Sequence, residues 1–95
     1  MSDPKQDILA KACQIVADRG DDYGPPSEHF ARTIDAINSV FRDKLKEPFT
    51  PSEWGMMMVI DKLAREQEVP KYDNLLDIIG YAACVHQCRS VEFRL

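Results

Sequence analysis

Thr50-Pro51-Ser52-Glu53 is a complete helix-start signal, and it dictates what the second half of this chain becomes. Threonine supplies a capping oxygen, proline occupies the first helical position where its missing N–H is no loss, and Glu53 returns a hydrogen bond to the cap. A helix over about 51–67 follows, running through Trp54, Met56, Met57, Met58 and Ile60 until Pro70 stops it. Asp3-Pro4-Lys5-Gln6 repeats the same logic and opens a helix over about 4–19, with Ile8, Leu9, Ala12, Ile15 and Val16 as its buried stripe. Gly20 is expected to end that helix, because Gly20-Asp21-Asp22-Tyr23-Gly24-Pro25-Pro26 concentrates residues that permit positive φ or remove donors. Ser27 then reads as the N-cap of a helix over about 27–45, in which Phe30, Ile34, Ile37, Phe41 and Leu45 recur at helical spacing. A fourth helix over about 73–89 carries a wide apolar surface from Leu75 to Val85. No strand-like alternation, internal repeat or low-complexity stretch interrupts this pattern. The expected fold is all-α, a four-helix bundle-like single domain over residues 1–95, small enough and apolar enough in its stripes to form a homo-oligomer.

Composition narrows the function classes. With 44% hydrophobic and 29% charged residues the chain is an ordinary globular domain, and disorder is excluded over most of its length. A net charge of −4 opposes broad binding to nucleic acid or to an anionic membrane, both of which need a basic face. The longest apolar run, Met56 to Ile60, is too short to span a bilayer, and Met1-Ser2-Asp3-Pro4 has no leader character, so a cytoplasmic protein is expected. Three cysteines, two of them on one helix, do not make a disulfide framework and fit a reducing compartment. A zinc site at Cys84 and Cys88 would need two further ligands from Cys13 and a histidine, so buried thiols are the better reading.

The residues able to carry chemistry lie on the third and fourth helices. Lys62 and Arg65 share one side of the third helix, where arginine grips a phosphate bidentately and lysine acts as a point charge; an Asp61 to Arg65 pair on a solvated stripe is the competing reading. On the fourth helix Asp73, Asp77, Tyr81, Cys84 and Cys88 recur along one face. Asp73 also suits a helix N-cap. Asp77 sits among Leu75, Leu76, Ile78 and Ile79, where it either holds Mg²⁺ with phosphate oxygens and water or bridges to Lys62 or Arg65. Gly80, one turn on, suggests that a backbone or a ligand comes close. Before the second helix, Arg19, Tyr23, Glu28 and His29 surround a helix N-terminus, a natural place for an anion, with Tyr23 free to stack on a base and His29 able to act as a base or donor.

Taken in order, Arg19-Gly20-x-x-Tyr23-Gly24 with Phe30, Lys62-x-x-Arg65, and Asp73-Asn74-x-x-Asp77-x-x-Gly80-Tyr81-Ala82-Ala83 resemble the phage and prophage domain of unknown function 6378, over about residues 8–86. That family brings no assigned activity. More distantly, four helices with carboxylates on the last are similar to the all-α nucleoside triphosphate pyrophosphatases of the MazG and dimeric dUTPase group. That resemblance implies Mg²⁺ held by Asp77 with Asp73 or Glu28, and water attacking an α-phosphate. The chain departs from the group where Asp61-Lys62-x-x-Arg65 replaces the usual Glu-x-x-Glu.

Three functions remain open on these residues. In a hydrolase, Asp73 and Asp77 hold magnesium, Lys62 and Arg65 neutralise phosphates, and Glu28 or His29 orients water. In a sequestering protein, Arg19, Tyr23, Lys62, Arg65 and Tyr81 bind a nucleotide or another phosphorylated small molecule without turnover. In an oligomeric inhibitor or adaptor, Trp54 and the methionines dock on a host protein.

Overall fold

The computed structural model describes residues 3–93. Among them are four α-helices, α1 (Pro4–Tyr23), α2 (Pro26–Val40), α3 (Pro51–Glu68) and α4 (Tyr72–Glu92), with a 3₁₀ turn at Arg42–Lys44. No described residue is in a strand. The two proline-marked starts work by local hydrogen bonds. The Asp3 carboxylate accepts from the Lys5 N–H at 2.9 Å, and at α3 the Thr50 side chain accepts from the Glu53 N–H while the Glu53 carboxylate accepts from the Thr50 N–H at 2.9 Å.

Helices α3 and α4 form an antiparallel hairpin, with Ser52 opposite Glu92, Lys62 opposite Asp77 and Glu66 opposite Asn74. α1 packs on α4, and α2 packs on both arms of the hairpin. The buried apolar centre is Ala12 of α1, Phe30 and Ile34 of α2, and Leu76 and Cys88 of α4. Gly55 lets α3 come this close. A methyl group there would lie 2.6 Å from Val85 Cγ2 and 3.0 Å from Phe30 Cε2, so α2, α3 and α4 meet over its bare backbone.

Of the backbone or ligand approach expected at Gly80, the backbone part is absent; the close approach of neighbouring helices is at Gly55. A Cβ on Gly80 would touch only Val16 Cγ2, at 3.9 Å, an ordinary contact. Gly80→Ala should accordingly stabilise the fold by up to about 1 kcal/mol, the helix-interior penalty of glycine. Chemical denaturation measures this; a loss of stability would mean that α4 needs the bare backbone after all.

α4 runs on to Glu92, past the expected end at about 89, and three further boundaries differ from the sequence reading for a tertiary or geometric reason. α1 continues through Gly20 to Tyr23, because one glycine weakens a helix without breaking it; the chain turns at Gly24, whose φ is +77° and whose N–H donates to the Gly20 carbonyl at 2.9 Å. α2 begins at Pro26 with Pro25 in the cap position, so Ser27 is no N-cap; its N–H donates to Gln87 Oε1 at 2.8 Å. α2 stops at Val40, because the Asn38 amide accepts from the Phe49 N–H at 2.8 Å and donates to the Phe49 carbonyl at 2.9 Å, pulling the chain back and leaving Phe41 exposed. Asp73 is likewise not the cap of α4. Lys71 holds that position, with no side-chain cap bond.

Candidate functional site

A cleft of about 400 Å³ opens between the C-terminal half of α1, the first turns of α2, and the facing sides of α3 and α4. Because α1 stays helical past Gly20, Arg19 and Tyr23 stand one turn apart on the same face, and both line the cleft. His29 follows on α2. Its ring centroid lies 6.1 Å from that of Tyr23, and it meets Phe30 edge-on at 4.6 Å. Phe30 in turn stands 6.1 Å from Tyr81 of α4, which completes a row of four rings in the cleft lining, with Phe30 at its buried floor.

Lys62 and Asp77 close the other side. Lys62 Nζ lies 3.4 Å from Asp77 Oδ2, with the lysine side chain 17% exposed and the aspartate 40%. The structure thus brings Arg19, Tyr23, His29, Lys62, Asp77 and Tyr81 to one cleft. It leaves Glu28, Arg65 and Asp73 outside. Arg65 points to solvent and pairs with Asp61 at 3.1 Å, because a residue three positions on is turned roughly 60° around the helix from Lys62. Glu28 and Asp73 are exposed and do not line the cleft.

Two cleft residues went unassigned to the site in the sequence. Trp54 figures there in a surface that docks on a host protein, yet Trp54, Met58 and Lys62 are spaced four apart and share a face. Thr33, four residues after His29, carries the same spacing as a signal.

The electrostatics concentrate around Arg19. Burial holds the His29 imidazole below its ordinary value of 6.5, and the charges of Arg32 and Arg19 push it the same way. Burial raises the Cys84 thiol, which Arg19 partly offsets, so this one guanidinium acts on α2 and α4 across the cleft mouth. Cys88 rises to about 11 through burial, with Glu92 and Cys84 adding to it.

For His29 the neutral ring is the form the fold favours. Its contribution to stability is present in full above pH 6.5 and is lost as pH falls through the lower folded value. His29→Gln should flatten the acid side of a stability profile as pH falls below 6.5; an unchanged slope would place that titration elsewhere.

The N-terminus of α2 offers an anion nothing. The Ser27 N–H is taken by Gln87, and the Glu28 and His29 N–H groups both donate to the Pro25 carbonyl, at 3.0 and 3.2 Å. Any anion here must be held by side chains. The cleft itself offers one carboxylate, with Glu28 and Asp73 outside its lining. Asp77 alone lines the cleft, its carboxylate already carries Lys62, and among the described residues no three His, Cys, Asp or Glu side chains converge as a metal site.

The sequence profile of a domain of unknown function, DUF6378, matches residues 7–89. The chain belongs to this family. The DUF6378 match runs from the first turn of α1 into the last turns of α4, so the whole cleft lies within the family's domain. No curated protein and no solved structure matches the chain. No described helix is long and apolar enough to cross a membrane.

Proposed function

We propose that this DUF6378 domain captures a small phosphorylated ligand, a nucleotide by preference, in the cleft between α1 and α4. One observation carries the reading: Arg19, which forms no ion pair with any described residue, shares a cleft of about 400 Å³ with Lys62 and a row of aromatic rings. Pockets of this size, with apolar walls and a few convergent polar groups, suit small molecules. A flat base has Tyr23, His29 and Tyr81 to stack on. A phosphate has Arg19 as a bidentate donor and Lys62 as a point charge.

Capture is favoured over hydrolysis. Phosphoryl chemistry in the MazG-like manner needs paired carboxylates on a metal, whereas the cleft presents one, already bound to a lysine. The finer form of the proposal is a cytoplasmic, phage-type protein that sequesters a nucleotide or a nucleotide signal.

The test is thermal shift and calorimetry with a panel of nucleoside mono-, di- and triphosphates and inorganic phosphate. A true ligand at about a hundredfold over its Kd stabilises by about 2.7 kcal/mol, which moves the melting temperature of a domain this size by about 10 °C or more. Arg19→Ala should weaken that ligand by about ten- to a hundredfold, the loss of a charged hydrogen bond. Asp77→Asn should tighten it by a few-fold, since it frees Lys62 from a partly exposed pair contributing about 1 kcal/mol or less. A hydrolytic metal site predicts the reverse for Asp77→Asn, with turnover abolished. A panel that leaves the melting temperature unmoved at millimolar concentration ends the proposal.

A further inference from the structure

The outer side of the α3–α4 hairpin, turned away from α1 and α2, carries an apolar face that nothing in the described chain covers. On α3, Met56, Ile60 and Leu63 are 43%, 63% and 51% exposed and spaced four and three apart, so they form one stripe. On α4, Leu75, Ala82 and His86 are exposed along a stripe of the same period. Arg89, one turn beyond His86, lies with Nη2 3.0 Å from Met56 Sδ, which joins the two stripes edge to edge. Neither α1 nor α2 can reach this side. α1 packs on α4 near Gly80 through Val16, and α2 packs on α3 at Gly55 through Phe30.

We infer that this face is where a second copy of the chain docks, hairpin against hairpin, to make a homodimer with a four-helix core. Area argues for it. A stable interface buries about 800 Å² on each partner; Met56, Ile60, Leu63 and Leu75, each left about half free, together with Phe93 at 62% and the exposed Ala82, His86 and Arg89, supply an area of that order. The composition suits a self-complementary contact: methionine, isoleucine, leucine and alanine at the middle, Arg89 and His86 at the edge, and no carboxylate among the residues of the two stripes. The ligand cleft opens on the other side of α4, so pairing leaves it free.

Sedimentation equilibrium of the full chain between about 1 and 200 μM tests this. The expected mass is twice the 10.8 kDa of one chain. Ile60→Glu should raise the dimer dissociation constant by roughly thirtyfold or more, as removal of a central anchor does. Ala82→Glu, on the other arm, should act in the same direction, and circular dichroism of both variants separates dissociation from unfolding. Val40→Glu, equally exposed but on α2, should leave the dimer intact. A wild-type chain that stays monomeric at 200 μM overturns the inference. So does a dimer that survives both Ile60→Glu and Ala82→Glu, because its interface is then elsewhere.

Discussion

Ile34→Ala should remove about 3 kcal/mol of stability, within the range found when a buried branched side chain is cut back to a methyl. Ile34 is 1% exposed and stands with Phe30 on the only face of α2 that meets the α3–α4 hairpin. The described core holds just five buried apolar residues, three of them large or branched, so neighbouring side chains have little to offer in collapsing on the cavity. A small domain holds about 5–10 kcal/mol in total, so this one substitution should take roughly 30–60% of it. Urea denaturation reads the result as a lower midpoint at unchanged slope. Val40→Ala on the same helix, at a position 76% exposed, should change stability by less than about 0.5 kcal/mol. If Ile34→Ala behaved like Val40→Ala, α2 would not be seated as described.

The contrast between those two residues shows what the sequence carried and what it withheld. Helical period alone placed Phe30 and Ile34 on an inward stripe, and it did so because a 3.6-residue repeat depends only on the local backbone. The same period extended the stripe to Phe41 and Leu45. It failed there because Asn38 reaches across to both polar groups of Phe49, a contact between residues eleven apart that no spacing rule contains. Capping behaves the same way. Thr50 and Glu53 could be read, since both partners lie within one turn, whereas Ser27 looked like a cap and instead serves Gln87, sixty residues away.

In the site, the side of α3 that bears Lys62 and the side of α4 that bears Asp77 followed from spacing, and their meeting at 3.4 Å needed the hairpin. Arg65 shows the limit of grouping by i,i+3. The residue had Asp61 one turn behind it, and a local pair in solvent wins over a reach into a cleft. The sequence puts Arg19 and Tyr23 on a glycine-rich loop. They became neighbours on one wall only because Gly20 stayed helical, a matter of about 1 kcal/mol that the flanking turns of α1 supply.

Glu92→Ala should cost about 2–3 kcal/mol, although the residue lies in the last turn of the last helix, where truncation is usually harmless. Its carboxylate accepts from the Ser52 N–H at 2.9 Å and from the Ser52 hydroxyl at 2.7 Å. Ser52 is 2% exposed and sits in the first turn of α3, whose leading N–H groups have no partner within the helix. Thr50 and Glu53 satisfy each other there, so Glu92 completes the cap from forty residues away and sets a negative charge at the positive end of α3. Hydrogen bonds to a charged group contribute about 1.5–3 kcal/mol, and deleting the acceptor leaves a buried N–H without one. The hydroxyl keeps a weaker alternative, since Thr50 Oγ1 lies 3.2 Å from it, which holds the expected loss below the sum of two full bonds. Glu92→Gln separates charge from geometry. Its amide oxygen can accept from the Ser52 N–H while its NH₂ donates to the hydroxyl oxygen, so a loss of only about 1 kcal/mol is expected. In a double-mutant cycle with Ser52→Ala, the Glu92→Ala effect should shrink by at least 1 kcal/mol, because two residues in direct contact are not independent. Full additivity would mean that the Ser52 hydroxyl bond contributes nothing, and a Glu92→Ala loss below about 0.5 kcal/mol would mean the same of the backbone cap.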